Sequence, residues 1–450
     1  MECLAIPTPT FRLQGLDGLR RLPEMARDPL AFFTSLHQEQ GPIASFDFAL
    51  GRQWLISDPD AIRTVFETHH EDLVRDAATM TLKPVFGRGI LTSDGAAWRR
   101  MRRMHGGLFK ARHIRHYGEQ MVRVVGREGQ PEAGLVDVHP EMTRITRQIF
   151  LDTMFGSDAS AADAIADAVT TSIAAHEREF MSLRRFYPSF LPTPGRRQAA
   201  RGRRQVAACL APLIAQRRAM QDEHDQDGLD MLTRLIVSRD EEGGSLTDTE
   251  LQDVVATLYF GGTETSANAL SFALWLLALR PDVQDALAEE RAEVLGDRVP
   301  GVGDMRALAR HTAVIDEAMR LYPPVWALGR RVTRGFEVNG HQIRAGDQLN
   351  ASPWVVHRDP RWFVRPHAFL PERFWDPTPN TRPRHAYFPF GAGQRNCLGS
   401  HFARMEMVLV LAGWLAKRRL HPVPDRAMNL LPRVSLRPVD GAWVDVEVLP

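Results

Sequence analysis

Cysteine is scarce in this chain, and its few cysteines are far apart. Of 450 residues only Cys3, Cys209 and Cys397 are cysteine, so there is no disulfide framework, and the chain fits a reducing compartment. A long hydrophobic run is also missing, because the best candidate, Leu270–Leu279, falls well short of the roughly 18 apolar residues of a membrane span. Met1–Phe11 lacks the basic and apolar segments of a signal peptide. We therefore expect a cytoplasmic protein with no integral membrane segment.

An excess of charge of one sign is missing too. The formal net charge is +1, which argues against a protein whose surface as a whole binds nucleic acid. A hydrophobic fraction of 44% and a charged fraction of 25% are those of an ordinary globular protein. Length alone suggests about two or three domains, but no repeat and no convincing linker divides the chain. We predict a single domain over residues 1–450.

Helical patterns dominate the sequence, so we predict a mainly α fold with a smaller β region. The β-rich parts are expected at about residues 40–60 and 325–375. Short apolar segments there flank Gly51 and the pair Asn339-Gly340, which favours a tight hairpin turn.

Three helices carry the later argument. The longest is predicted to begin at Thr247, where Glu250 completes a capping box, and to end near Arg280. A second is predicted over about Asp304–Leu321. The last long helix is expected to start just after Cys397, because apolar residues then recur at helical spacing.

The segment around Cys397 has the residues that a reactive thiolate requires. Its glycines allow a tight turn, and free N–H groups at the start of a helix would stabilise a thiolate. Arg395 could pair with a carboxylate on a ligand, and Gly399 leaves room for a large flat ligand. A buried structural cysteine is the alternative, since that is the usual role of a lone cysteine.

This segment resembles the haem-binding loop of the cytochrome P450 family, Phe-x-x-Gly-x-Arg-x-Cys-x-Gly. Every fixed position is filled, by Phe390, Gly393, Arg395, Cys397 and Gly399. The resemblance implies the P450 fold, with the haem between a long central helix and the helix that follows the cysteine loop. It also implies that the cofactor is haem b (iron protoporphyrin IX), that the Cys397 thiolate is the iron ligand, and that Phe390 and Gly399 lie against the haem.

Glu317 and Arg320 lie one helical turn apart, just before a proline pair. Spacing alone favours a solvated surface ion pair worth under about 1 kcal/mol. The segment also resembles the family's Glu-x-x-Arg helix, which an arginine in Pro-Glu-Arg-Phe completes, here Arg373. The resemblance predicts a buried, structural ion network of these three residues.

Trp98 and Arg102 are four residues apart, so an indole N–H and a guanidinium can meet one carboxylate. An ordinary basic helix with an anchoring tryptophan is the alternative. The segment resembles the family's helix that holds a haem propionate. By the same resemblance Arg330 and Arg395 bind the propionates, although the neighbouring Arg331 remains an alternative to Arg330.

The longest predicted helix contains Gly261, Gly262, Glu264 and Thr265. Two glycines in a helix cost roughly 2 kcal/mol relative to alanine, so we expect them to open the helix locally. Cleavage of an O–O bond needs protons, and an acid beside an alcohol can deliver them. The motif resembles the family's oxygen-activating segment, which implies that Thr265 and Glu264 are catalytic. The alternative is a packing notch in which the threonine bonds back to its own helix.

The resemblance implies a monooxygenase that uses O2 and two electrons to place one oxygen atom in a hydrophobic small molecule, such as a terpenoid or a fatty acid. By resemblance the substrate contacts come from four segments that would face the open side of the haem. The predicted contacts are mainly apolar: Met80, Leu82, Val85, Phe86, Phe180, Met181, Leu258, Gly261, Val325, Trp326 and Leu328. For each apolar side chain, a plain core role is the alternative.

No flavin or iron–sulfur segment is evident, so the electron donor is expected to be a separate protein, a ferredoxin or a flavodoxin. The predicted docking surface for this acidic partner is a basic set: Arg99, Arg100, Arg103, Lys110 and Arg112. Three other functions stay open, namely a peroxygenase or isomerase of the same haem-thiolate type, a haem sensor without catalysis, and a hydrolase with zinc or a nucleophilic cysteine.

Overall fold

The computed structural model describes residues 23–48, 51–127, 133–156, 159–180, 182, 191–219, 230–375 and 382–449. Helices make up most of these residues and small sheets the rest of the regular structure. The predicted mainly α fold with a smaller β part is confirmed. Within the described ranges, no helix combines the length and the apolar character needed to cross a bilayer.

The helices follow one another along nearly the whole described chain. They are residues 23–27, Pro29–Gln40, Pro59–Arg63, Ala77–Met80, Lys83–Phe86, Gly95–Gly106, Ala111–Gly126, Val138–Phe155, Ala159–Phe180, Pro194–Ala219, Met231–Val237, Asp248–Ala278, Pro281–Val294, Ala309–Leu321, Pro353–Val356, Glu372–Trp375 and Ser400–Trp414. The strands are Ile43–Phe48, Gly51–Ile56, Leu73–Arg75, Gly134–Asp137, Leu328–Val332, Phe336–Val338, His341–Ile343, Gln348–Ala351, Arg418–Pro422, Leu430–Pro432, Leu436–Pro438 and Trp443–Val448.

Packing divides the described residues into two compact units, each assembled from separate stretches of chain. The β-rich unit consists of the described residues within Met1–Ala78, Arg320–Ala368 and Thr378–Cys397. The helical unit consists of the described residues within Thr79–Met319, Phe369–Pro377 and Leu398–Pro450. That the whole chain is a single domain stays a prediction.

The β-rich unit contains a five-stranded sheet. Its strand order is Ile43–Phe48, Gly51–Ile56, Gln348–Ala351, Leu328–Val332 and Leu73–Arg75, with one parallel pair, the second and third strands. A separate hairpin pairs Phe336–Val338 with His341–Ile343.

The turn of that hairpin is the predicted one. Asn339 and Gly340 have φ values of 47° and 79°, which is the left-handed conformation that an Asn-Gly hairpin turn requires. Both β-rich parts predicted from the sequence therefore contain strands at the expected places.

The helical unit is built around Asp248–Ala278, which we call the central helix. Thr247 caps it as predicted, since its hydroxyl accepts from the Glu250 amide at 3.2 Å and the Glu250 carboxylate accepts from the Thr247 amide at 2.9 Å. The central helix ends two residues before the predicted Arg280 and is buried along most of its length. A helix that is apolar on nearly all sides belongs inside a core.

The predicted helix over Asp304–Leu321 is interrupted. A short 3₁₀ turn, Val302–Arg306, precedes the helix Ala309–Leu321. The Glu290 carboxylate accepts from the amides of Arg310 and His311 at 2.7 and 3.2 Å. These capping bonds satisfy amides of the first helical turn, so the helix begins there.

Glu317 and Arg320 are both fully buried, as the Glu-x-x-Arg resemblance predicted. In the helical unit Glu317 accepts from Arg373 at 3.0 Å and from the Leu370 amide at 2.9 Å. In the β-rich unit Arg320 donates to backbone carbonyls, including that of His357 at 2.8 Å. Removing either partner of the Glu317–Arg373 pair would leave a buried charge without its counterion, which is costly.

Candidate active site

The cysteine loop, residues 388–399, is held by backbone hydrogen bonds. The Cys397 amide donates to the Phe390 carbonyl at 2.8 Å, and the Phe388 amide donates to Nε2 of His357 at 3.0 Å. His357, which the sequence analysis did not single out, thus fixes the start of the loop.

Glycine is required at one position of this loop in particular. Gly393 has φ +67°, and a Cβ atom on it would lie 2.0 Å from the carbonyl oxygen of Phe66. No side chain fits there without displacing the backbone of Phe66. The glycine of the motif therefore serves the fold of the loop.

The thiol of Cys397 is exposed, so the alternative of a buried structural cysteine is wrong for this structure. The helix that follows, which we call the post-cysteine helix, begins at Ser400 and has Gly399 as its N-cap. Cys397 therefore lies three residues before the first helical residue and not directly at the helix start as expected.

A Cβ atom on Gly399 would be 3.4 Å from the Phe109 ring, which is an ordinary contact. The predicted close approach of a flat ligand to Gly399 and Phe390 stays a prediction.

Arg330 and Arg331 point to opposite sides of the strand Leu328–Val332, because side chains alternate along a strand. Arg330 is 4% exposed, and its guanidinium lies 5.3 Å from the centre of the Phe66 ring. Arg331 is exposed. Of the two, Arg330 is the arginine that is directed inward, which agrees with the choice made from the sequence. Arg395 is half-buried in the 3₁₀ turn Gly393–Arg395.

Trp98 and Arg102 lie one turn apart on the helix Gly95–Gly106. Trp98 is 7% exposed and Arg102 is half-buried. Their spacing places the indole and the guanidinium on the same helical face, as the sequence predicts. Their role toward a propionate stays a prediction.

A narrow accessible stripe interrupts the burial of the central helix. Its members Leu258, Gly261, Gly262 and Thr265 recur at helical spacing and are all partly or fully exposed. A Cβ atom on Gly261 would have no other atom within 4 Å. This part of the helix therefore borders open space, although the residues on its other faces are packed.

The central helix continues unbroken through both glycines, so the expected local opening is absent. Within this unbroken helix the Thr265 hydroxyl donates to the Gly261 carbonyl at 2.8 Å. This is the arrangement that the sequence analysis gave as the alternative. The hydroxyl oxygen still has lone pairs with which it can accept a hydrogen bond.

Glu264 is held by two residues near the end of the chain. The Ser435 hydroxyl donates to Oε1 of Glu264 in a short hydrogen bond, and Nη1 of Arg437 lies 3.6 Å from the same oxygen. Burial raises the pKa of Glu264, and these two partners only partly offset it. Neither residue was found from the sequence, because no local pattern connects positions 171 residues apart.

The predicted substrate contacts differ in exposure. Leu82, Val85 and Phe86 are buried, whereas the partly exposed ones are Met80, Phe180, Leu258, Val325 and Leu328. Met181 lies outside the described residues. The Trp326 ring packs at 5.9 Å from that of Phe33 and joins the core cluster around the helix Pro29–Gln40. For Trp326 this is the contact that a core side chain makes.

The residues present fit a haem. An exposed thiol, an indole N–H and three guanidinium groups are the donors that a thiolate-ligated iron and its propionates use. Open space beside Gly261 lets a flat ligand approach the central helix.

In the part of the chain that the structure describes, no three His, Cys, Asp or Glu residues are grouped to hold a metal ion. Cys397 therefore lacks the partner ligands of a zinc site there.

Comparisons with known proteins show the family of this chain. The family model described as Cytochrome P450 matches residues 19–439. Cyclooctatin synthase from Streptomyces melanosporofaciens is 31% identical over 92% of this chain and 90% of its own. Putative cytochrome P450 139 from Mycobacterium tuberculosis is 30% identical over 81% of this chain and 86% of its own.

Solved structures show the same fold. A retinoic acid-bound cyanobacterial CYP120A1 superimposes with a TM-score of 0.80 at 24% identity and covers 94% of this chain and 96% of its own. CYP175A1 from Thermus thermophilus gives a TM-score of 0.74 at 25% identity, with 97% and 99% covered.

The family match and the fold define a haem-thiolate enzyme. The chain belongs to the cytochrome P450 family. It is a monooxygenase, an oxidoreductase that uses haem, O2, a redox partner and a small-molecule substrate.

Proposed function

We propose that this P450 inserts one oxygen atom from O2 into a hydrophobic small molecule, such as a terpenoid or a fatty acid, with haem b as the cofactor. The accessible stripe on the central helix carries the proposal. An open, largely apolar patch on a helix that is otherwise packed is typical of the wall of a small-molecule site. Its members Leu258 and Gly261 offer no charge to a polar ligand, while Thr265 offers a single hydroxyl.

The Cys397 thiolate would hold the iron, and a set of four donors would hold the propionates: Trp98, Arg102, Arg330 and Arg395. When bound, the haem supplies the binding and reduction of O2, with one oxygen atom going to substrate and one to water. In this proposal Phe390 and Gly399 line the cofactor beside the cysteine. The chain's own residues would ligate the iron, orient the haem through its propionates and deliver protons.

Glu264 and Thr265 would deliver those protons. The pKa of Glu264 is raised by burial, so its carboxyl keeps a proton to higher pH than a solvated glutamate, as a general acid near neutral pH must. The Thr265 hydroxyl lies on the accessible stripe and can accept one hydrogen bond while it donates another. The acid–alcohol pair favours a monooxygenase over the peroxygenase or isomerase alternative, whose members typically lack such a pair.

The electron donor would be a separate acidic protein, a ferredoxin or a flavodoxin. Arg99, Lys110 and Arg112 of the predicted basic set are exposed, and no described acidic residue pairs with them. Arg100 instead binds Asp240 and Glu250 at 2.7 and 2.6 Å. The set therefore divides into members that are available to a partner and members whose charge is already compensated.

The absorption spectrum of the dithionite-reduced protein with carbon monoxide tests the proposal first. We expect a strongly red-shifted Soret band in the wild type and its loss in Cys397→Ala, because only a thiolate ligand gives that shift. Cys209→Ala is the matched control, since Cys209 lies on the helix Pro194–Ala219, and it should keep the band. A red-shifted band that survives Cys397→Ala would mean that another residue ligates the iron.

Steady product formation driven by NAD(P)H through an added ferredoxin or flavodoxin then separates the enzyme from a haem sensor. A panel of terpenoids and fatty acids, scored by the displacement of iron-bound water, would identify the substrate class. A cytoplasmic location stays a prediction.

A further inference from the structure

A chain of polar contacts joins the catalytic acid to the C-terminal hairpin, which we define as residues 430–438. Nη2 of Arg437 lies 2.7 Å from Oε2 of Glu177, on the helix Ala159–Phe180. Nη1 of the same guanidinium lies 3.6 Å from Oε1 of Glu264, the oxygen that also accepts from Ser435. Asn268, one turn after Glu264 on the central helix, donates to Ser435 Oγ at 3.1 Å. One arginine and one serine of the hairpin are thus shared among three side chains of the helical unit.

The charges in this chain do not balance when both acids are ionised. Glu177 and Glu264 would then contribute two negative charges to one guanidinium. Their side chains are 7% and 22% exposed, so an excess charge has little solvent to stabilise it. Protonation of one carboxyl removes the excess.

Geometry decides which acid keeps the proton. The arginine is in hydrogen-bond contact with Glu177 and at a longer distance from Glu264. Arg437 is therefore engaged mainly with Glu177, and Glu264, whose pKa burial raises, is the acid left to hold the proton.

We propose that the C-terminal hairpin controls the protonation of Glu264, with Ser435 and Arg437 as positioning residues and Glu177 as a competitor for Arg437. This rests on the proposed role of Glu264 in proton delivery and adds the residues that set the pH at which Glu264 loses its proton. In this arrangement a shift of Arg437 toward Glu264 favours release of the proton, and a shift toward Glu177 favours its recovery.

The other titratable groups nearby are Tyr259, His139 and Arg147. Burial raises the pKa of Tyr259, with Glu264 among the lesser causes. Burial lowers the pKa of His139, and Arg437 adds a smaller effect in the same direction. Arg147 is paired with Asp163 and Asp167 at 2.8 Å each. Among these neighbours Arg437 is the cation that lies against the Glu264 carboxyl, so it is the residue to change.

Infrared titration of the haem-loaded protein tests the proposal without turnover. The carboxyl C=O band that is present in the wild type and absent in Glu264→Gln reports the proton on Glu264. Arg437→Gln should move the loss of this band to higher pH, because a stabilising cation is removed. Glu177→Gln should move it to lower pH, because a competing anion is removed and Arg437 is left to Glu264 alone.

Arg419→Gln is the matched control, since Arg419, on the strand Arg418–Pro422 of the same unit, forms a 2.7 Å pair with Asp285. It should leave the band where it is in the wild type. Should Arg437→Gln fail to fold, Ser435→Ala is the second variant, and it should also move the titration to higher pH. Equal titrations in the wild type, Arg437→Gln and Glu177→Gln would overturn the proposal.

Turnover separates this inference from the proposed function. If Glu264 delivers protons, Glu264→Gln should lower the rate of product formation by about a hundredfold, the lower end of what general acids contribute. The pH at which Arg437→Gln loses half of its rate should follow the infrared titration, and Arg437→Lys should restore part of the wild-type pH profile. A shifted infrared band in Arg437→Gln, together with an unchanged rate in Glu264→Gln, would keep the hairpin's control of Glu264 and reject Glu264 as the proton donor.

Discussion

Glu406 is a carboxylic acid inside the core of the helical unit. It lies on the post-cysteine helix with 0% exposure, and neither carboxyl oxygen has a hydrogen-bond partner among the described residues. Burial raises its pKa to about 8, and the neighbouring Ser266 hydroxyl offsets this only in part. At neutral pH the group is therefore mainly a neutral acid, which is the form that an apolar site tolerates.

A pH-dependent stability follows from that burial. In the unfolded chain Glu406 ionises near 4.5 and in the folded protein near 8, so the folded state holds an extra proton between these values. Its contribution to stability is complete below the lower value and is lost as the pH rises through the upper one. Relative to Glu406→Gln, the wild type should lose about 1.4 kcal/mol of unfolding free energy per pH unit across this window.

Denaturant unfolding of both proteins at pH 5, 6, 7 and 8 measures this. Glu119, whose side chain is 60% exposed, provides the control variant Glu119→Gln, whose curve should run parallel to that of the wild type. A constant difference between Glu406→Gln and the wild type over the whole range would show that Glu406 is ionised in the folded protein.

At the scale of the element, the two glycines of the central helix differ in the space that an alanine methyl group would have. We therefore expect alanine at the two positions to change stability differently. Alanine at position 261 would place its methyl group in open space, whereas alanine at 262 would approach Cδ2 of Phe150 to 3.2 Å. Gly261→Ala should stabilise the helix by about 0.5–1 kcal/mol. Gly262→Ala should gain less or lose stability, because the Phe150 ring must move.

Thermal unfolding of the two variants, together with ligand titration, checks this pair. Gly261→Ala should unfold at a higher temperature than Gly262→Ala and yet bind hydrophobic ligands more weakly, since its methyl group narrows the accessible stripe. Unchanged affinity for every ligand that the wild type binds would mean that Gly261 does not border the substrate.

The elements that the sequence predicted well are those with local causes. The Thr247–Glu250 capping box and the Asn339-Gly340 turn involve neighbours in sequence, and both are present as predicted. The predicted helix start at Asp304 was wrong: the helix begins at Ala309, where Glu290, on the preceding helix, supplies the caps. Some residues contact the candidate site but lie far from it along the sequence, such as Arg437 beside Glu264. They were missed because no local sequence pattern connects such distant positions.

At the scale of the whole molecule, the net charge is too small to attract an acidic partner. With a formal charge of +1, any steering of an electron donor has to come from where the charges lie. Arg103 is 3.1 Å from Glu241 and Arg100 binds two acids, so their fields are largely compensated. The local excess of positive charge on this side of the helical unit rests on Arg99, Lys110 and Arg112.

Reversing that excess should slow electron transfer. The triple variant with Glu at positions 99, 110 and 112 should accept electrons from an acidic ferredoxin or flavodoxin about tenfold more slowly at low salt, and its rate should vary less with ionic strength. Stopped-flow reduction measures both. The control reverses three exposed arginines that no described acidic residue pairs with, on the helix Pro194–Ala219: Arg197, Arg201 and Arg204. Because both triples change the net charge equally, equal slowing in the two would show that the donor responds to total charge and has no docking surface at Arg99, Lys110 and Arg112.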